Sequence, residues 1–534
     1  MKKFLAIAFA ATLLLPSCKE TEHSSFDRRL RDYAVITIKA PDLRGITDNG
    51  KEVLNLYRFA ADAVDEIYWK QYFGDKAVLD TISDPSQKEF VAINYGPWDR
   101  LDGKSFVDGY ADRLPGAGFY PADMTPEEFE AWDNPDKNSP YTLVKRSADG
   151  SLRTIWFHDA YSAELERIAN YLNAAADITI KPSVAKYLRS KAQALLTDDF
   201  YQSGIDWLEM DDSKMDLVIG PDETVDDQLL GIKRSYEAFV LLKNTAKTEL
   251  FTKILVNHIP DFQKALPCEE QYKTFEPGLG SNIFSCDALY YAGKANAGVK
   301  VIAINRPTDA DVQKDKGSRT IVLENIIRAK FSSIVGPTGD ILLEPAYRAH
   351  LSAEAFLWNT VFREVAHGLG VKETINGKGT VAEALGNYAQ TFETIKANVV
   401  GMFLICQLQQ HQELPAIFTK DDALTTFVAS IMRSERFGEG SALGRANIVI
   451  YNFLREKGAL KRNDAGGYSI DFGKMESSLG ELSAIVLKTQ ALGDREFAAA
   501  FEEQYSKRLP DYSDDILKLG LENIPVDVRF VFEK

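Results

Sequence analysis

The residues best suited to chemistry lie in one short run, Val361-Phe362-Arg363-Glu364-Val365-Ala366-His367-Gly368-Leu369-Gly370. Two histidines at i and i+4 put both imidazoles on one helix face. A glutamate directly after the first can then act as general base on metal-bound water. The frame is present here, but Arg363 stands in the first histidine position. A catalytic zinc site needs three protein ligands and an open fourth position. Arginine keeps its proton in proteins and cannot be one of those ligands. Taken alone, Arg-Glu-x-x-His is common on helix surfaces.

Twenty-six residues after His367 comes Glu393-Thr394-Ile395-Lys396-Ala397-Asn398, inside a helical pattern that runs from Val381 to Leu408. The two segments together resemble the dipeptidyl peptidase III family of zinc metallopeptidases, whose members pair a His-Glu helix motif with a downstream Glu-Glu-x-Arg/Lys-Ala-Glu/Asp helix. The two-residue gap between Glu364 and His367 is similar to that of the shorter bacterial and plant variants. Further stretches look like family landmarks: Leu196-Thr197-Asp198-Asp199, Ile219-Gly220-Pro221 with Glu223-Thr224, Ala295-Asn296-Ala297-Gly298, Ile304-Asn305 with Pro307, and 438–447. The likeness covers nearly the whole mature chain.

Carried over residue by residue, the resemblance implies a dismantled metal site. The first histidine ligand falls on Arg363, the general base on Glu364 and the second histidine ligand on His367. The glutamate that supports a ligand without touching the metal falls on Glu393. The third ligand falls on Thr394, and the closing acid on Asn398. A histidine that stabilises the transition state falls on Leu443, and a tyrosine on Val225. Losing even a supporting group costs about 10–100-fold in metal affinity or activity, and two of three ligands cost more. No cofactor is therefore expected, with zinc required if the family activity is retained. The Arg363 guanidinium is expected to fill part of the metal volume and pair with Glu393 or Glu364; the alternative is that it points to solvent. For substrate, the resemblance implies a peptide lying as an added strand along a sheet edge. Asn305 matches a substrate-contacting asparagine, and a second such asparagine is Thr308 here. Glu223 and Glu237 are candidates to hold a peptide amino terminus, or are solvated charges. Trp98, Trp207 and Tyr95 could line a cleft or pack in cores. The remaining histidines, His23, His158, His258, His350 and His411, have no ligand spacing to His367.

The elements that must position these residues are legible in outline. The chain has 534 residues, net charge −16 and 45% hydrophobic residues, enough for more than one lobe. The acidic balance argues against a nucleic-acid partner. Lys2 and Lys3, an apolar run Phe4 to Leu15, and Leu15-Pro16-Ser17-Cys18 have the pattern of a bacterial lipoprotein signal, the alternative being a simple secretory signal with a chance cysteine. Residues 1–17 would be removed and Cys18 acylated, anchoring the chain at a membrane in the cell envelope through the tether 18–26. Of the other cysteines, Cys268 and Cys286 could pair across a loop, and Cys406 sits in an apolar helical run.

Helical periodicity marks 43–73 and two helices within 161–196. Thr125-Pro126-Glu127-Glu128 reads as a capped helix start. Strand material appears at 215–219 and 299–304, and helix dominates from 352 to 454. The fold class expected is α+β in two lobes with a cleft between them. A mixed lobe with a β-core takes 27–240 with 295–335. A helical lobe carrying the metal-site motifs takes 241–294 and 336–534. Three functions follow: an inactive peptidase homologue that binds peptides or a partner protein in the cleft; a metallopeptidase releasing dipeptides with an atypical ligand set such as Glu364, His367 and Glu393; or a structural interaction subunit.

Overall fold

The computed structural model describes residues 25–38, 46–100, 103–210, 213–273, 282–438 and 440–532; Cys18, His23 and most of the tether lie outside them. Strands are numbered in chain order: β1 (Tyr33–Ile38), β2 (Thr142–Arg146), β3 (Leu152–Trp156), β4 (Met215–Glu223), β5 (Ser235–Lys243), β6 (Ile283–Gly293), β7 (Ala303–Arg306), β8 (Arg319–Leu323), β9 (Leu460–Arg462), β10 (Tyr468–Ile470) and β11 (Asp527–Phe532). The long helices are α1 (Asp48–Tyr72), α2 (Ser162–Ile178), α3 (Pro182–Thr197), α4 (Thr245–Ala265), α5 (Ala353–His367), α6 (Ala389–Gln410), α7 (Lys420–Ser434), α8 (Ala442–Glu456) and α9 (Phe472–Leu492).

The mixed lobe is built on a sheet of order β4-β5-β6-β8-β7, with β6–β8 parallel and the other pairings antiparallel. The middles of β4 and β5 are buried on both faces, so Leu217-Val218-Ile219 and Ala238 to Leu241 read as apolar runs rather than alternations. Helix α1 covers one side with Val53, Tyr57, Ala60, Val64 and Ile67, a spacing of three and four residues. The Thr47 side chain caps its start by accepting from the Gly50 amide. Thr125 likewise caps Pro126–Ala131 through the Glu128 amide. Strand β7 forms one edge of this sheet.

Two expectations need correction here. Of the expected 299–304 strand only Ala303 and Ile304 form, in a strand that runs on to Arg306. The Lys300 amide donates to Asp527 instead of entering a ladder, and its ammonium is held by the carbonyls of Asn296 and Gly298. Residues 283–293, placed by sequence with the helical lobe, are strand β6 in the middle of the sheet. Ser285 and Asp287 interrupt its apolar pattern, which hides it.

The helical lobe has its own hydrophobic core from α4 through α9. Helix α6 is apolar on nearly all sides, with Phe392, Ile395, Val399, Val400, Met402, Ile405 and Cys406 buried, as a central helix must be. The expected continuous helix from 381 breaks at Gly386, whose φ of +57° is left-handed. Ile302 packs against both cores. The chain ends also tie the lobes: β1 pairs in parallel with β11, and the buried Asp527 carboxylate meets Lys330 Nζ at 2.7 Å. Cys268, Cys286 and Cys406 are unpaired. Among the described residues no helix is long and apolar enough to cross a membrane.

Helices α5 and α6 touch at Gly401. A Cβ there would lie 2.9 Å from the Arg363 amide nitrogen and from the Phe362 carbonyl oxygen. Both obstacles are backbone, so the helices would have to separate. Gly401→Ala is expected to lower stability by about 1–3 kcal/mol, overpacking outweighing the gain in helix propensity; urea unfolding of the two proteins measures the difference.

Candidate functional site

Helix α5 starts at the Ser352 cap, whose hydroxyl accepts from the Ala355 amide, and its last turn carries Arg363, Glu364 and His367. Helix α6 crosses it at Gly401 and brings up Glu393, Thr394 and Asn398. The start of α8, capped by Ser441, supplies Leu443.

Arg363 turns back onto its neighbour. Its Nη2 and Nε donate to Glu364 Oε1 at 2.6 and 3.1 Å. Of the two carboxylates open to it from sequence, the guanidinium takes Glu364, and Glu393 is held elsewhere. The Glu364 side chain is only 12% exposed. Burial alone would raise its pKa, but the Arg363 charge, His367 and the hydrogen bond from Arg363 outweigh burial and leave it below the usual glutamate value. A general base works best with a pKa near the operating pH, so this pairing weakens Glu364 in the role its position implies.

His367 keeps a partner that metal-binding histidines commonly have. Its Nδ1 lies 2.7 Å from Glu393 Oε1. Glu393 Oε2 accepts from Lys396 Nζ at 3.0 Å and from Gln490 Nε2 at 3.1 Å. Burial raises the Glu393 pKa, but Lys396 and His367 pull it down to about 2. An ionised carboxylate only accepts, so Nδ1 donates to it, and in the neutral ring the lone pair is then on Nε2. That is the tautomer a metal ligand needs.

The other positions supply no donors. Thr394 Oγ1 donates to the Gln390 carbonyl of its own helix at 2.8 Å. Asn398 Nδ2 reaches Asn447 Oδ1 at 3.4 Å, and Leu443 lines an adjoining cavity. His158, His350 and His258 contact Asp198, Asp422 and Glu413 at 2.8, 2.7 and 3.4 Å, away from this site. Among the described residues no three His, Cys, Asp or Glu gather with metal-binding geometry.

The peptide-contact candidates lie on the sheet. Asn305 is exposed on edge strand β7, and its Nδ2 donates to Thr320 Oγ1 at 2.9 Å across the β7–β8 ladder. Glu223 and Glu237 converge on Arg306: Nη2 contacts Glu223 Oε1 at 2.9 Å and also bonds Glu237, while Nε lies 3.6 Å from Asp222. Both acids are thus engaged by a buried internal cation. Trp207 donates to Asp216, and Trp98 and Tyr95 pack with Tyr68, Trp69 and Tyr72.

The solved structure of dipeptidyl peptidase III from Caldithrix abyssi is 32% identical to this chain, with a TM-score of 0.89 over 95% of this chain and 98% of that one. The chain belongs to the dipeptidyl peptidase III family. The dipeptidyl-peptidase III structure from Corallococcus sp. strain EGB agrees at 29% identity and TM-score 0.84, covering 95% of this chain and 96% of that one. The profile of peptidase family M49 matches residues 133–344. Nudix hydrolase 3 of Arabidopsis thaliana is 26% identical over 96% of this chain and 74% of its own length.

Dipeptidyl peptidase III proteins are zinc metallopeptidases, and the donor set here does not fit that ion. One ligand position holds a fixed cation, and another holds a hydroxyl bound to a backbone carbonyl. Sequence reasoning missed three cations beside Arg363: Lys300, Lys330 and Arg433 line the same cavity. The one visible signal was Arg433 inside the apolar run of α7.

Glu393 titrates well below its unfolded value, so it contributes stability above about pH 4.3, and that contribution is lost as pH falls toward 2. The thermal stability gap between the wild type and Glu393→Gln is expected to be constant above about pH 5 and to narrow steadily in acid. Melting curves across that range measure it.

Proposed function

We propose that this member of the dipeptidyl peptidase III family is a non-hydrolytic, lipid-anchored protein of the cell envelope that captures peptides or a partner protein in the cleft between its lobes. The observation that carries the reading is the Arg363–Glu364 pair, in which a permanent cation occupies a ligand position and holds the former general base. A dication brought to His367 would meet that positive charge and no acid on α6 except Glu393, which is already bound by His367 and Lys396. The free edge of β7, with Asn305 exposed on it, supports main-chain recognition of an extended peptide. The lipoprotein signal ending at Cys18 supports anchoring at a membrane surface.

A second reading keeps enzymatic activity. It is supported by His367, whose Nε2 lone pair is set by the Glu393 hydrogen bond as a ligand would require. Dipeptidyl-arylamide hydrolysis in added zinc separates the two. The wild type is expected to turn over no faster than buffer. The combined change Arg363→His, Thr394→Glu, Leu443→His should bind zinc in a 1:1 ratio and gain measurable hydrolysis. Short peptides should raise the melting temperature of the wild type saturably. Chelator-sensitive turnover by the wild type would establish the second reading instead.

A further inference from the structure

A cavity of about 250 Å³ lies where the 299–303 segment leading into β7 faces α5, α6, α7 and α8. Its lining includes four cationic residues, Lys300, Lys330, Arg363 and Arg433, and no aspartate or glutamate. In a chain of net charge −16 this is a local inversion of sign. Some of the charge is matched nearby. Lys330 meets Asp527 at 2.7 Å, and Arg363 uses Nε and Nη2 on Glu364. The Lys300 ammonium is held by backbone carbonyls.

Arg433 is different. It is 6% exposed, and among the described residues no carboxylate lies within 4 Å of it. Its Nε has no hydrogen-bond partner. Its Nη1 donates only to Ser434 Oγ at 3.2 Å, and the guanidinium lies over the Phe437 ring at 4.9 Å. A buried charge is normally paired or fully hydrogen-bonded; Asp527 attracts this one without contacting it and is already bound by Lys330. Arg363 and Lys330 stand close enough that each repels a neighbouring cation of the cluster. Asn359 adds an Oδ1 that also lacks a partner, and Asn398 and Asn447 add polar groups to the wall.

We propose that this cavity is an oxyanion site, taking a phosphate or carboxylate group on Arg433 and Arg363. Guanidinium groups present paired donors matched to such oxygens. The unpartnered Asn359 oxygen favours a ligand that carries a donor beside the anionic oxygens, as hydrogen phosphate does and as the last amide of a peptide does beside its terminal carboxylate. The site does not depend on peptide capture, because inorganic phosphate alone tests it.

The test is isothermal titration calorimetry on the soluble mature chain at fixed ionic strength, with three probes: inorganic phosphate, a short peptide with a free C-terminal carboxylate, and the same peptide as its C-terminal amide. Saturable binding of phosphate identifies a free anion as ligand. Saturable binding of the peptide acid with loss of binding in the amide identifies a chain terminus. In either case Arg433→Met should weaken binding at least tenfold. Arg363→Gln, with its folding checked by a melting curve, should weaken it as well by baring Glu364. Failure of both phosphate and peptide acid to saturate below about 10 mM, or unaltered affinity in Arg363→Gln and in folded Arg433→Met, overturns the proposal.

Discussion

Arg363 cannot give up its proton, and two of its donors are committed to one oxygen of Glu364 in a largely buried setting. Separating this pair would leave a buried charge on each side, which costs about 3–5 kcal/mol when one partner is removed. The pair therefore acts as a fixed element around which the other groups settle. Glu364 is held as a weak base. His367 is left to Glu393, and Glu393 to Lys396. Arg363 also adds one of the four cations that line the neighbouring cavity.

Glu364 and Glu393, which in a metallopeptidase would face a dication, are each balanced by a cation of the chain. The balance differs in kind from a metal's. A metal can leave and return, and it presents an open position to water. A guanidinium and an ammonium are tethered and saturate their partners with hydrogen bonds. The close crossing of α5 and α6 at Gly401 keeps these groups within reach of one another. The fold around them agrees with a family structure at a TM-score of 0.89 and 32% identity.

Much of this was legible in the residues. The cap at Thr125, the helix pair within 161–196, the apolar run at 215–219 and the aligned motif positions all act locally, and local signals survive in sequence. What was hidden depends on distant partners. The strand expected at 299–304 is cut short because Asp527, more than two hundred residues later, takes the Lys300 amide. The counter-ion of Lys330 comes from the same residue. Sequence allowed Arg363 either of two carboxylates, and only the three-dimensional placement of Lys396 and His367 on Glu393 selects Glu364. Strand β6 was masked by polar residues whose partners, Glu324 for Ser285 among them, lie on other elements.

The most direct measurement is an anomalous difference map, collected above the zinc edge, from crystals grown with an excess of zinc. Arg363 should remain on Glu364, with no anomalous peak within bonding distance of His367 Nε2. A full-occupancy peak on His367, with the guanidinium swung away from Glu364, would contradict the view that a fixed cation has taken the metal's place.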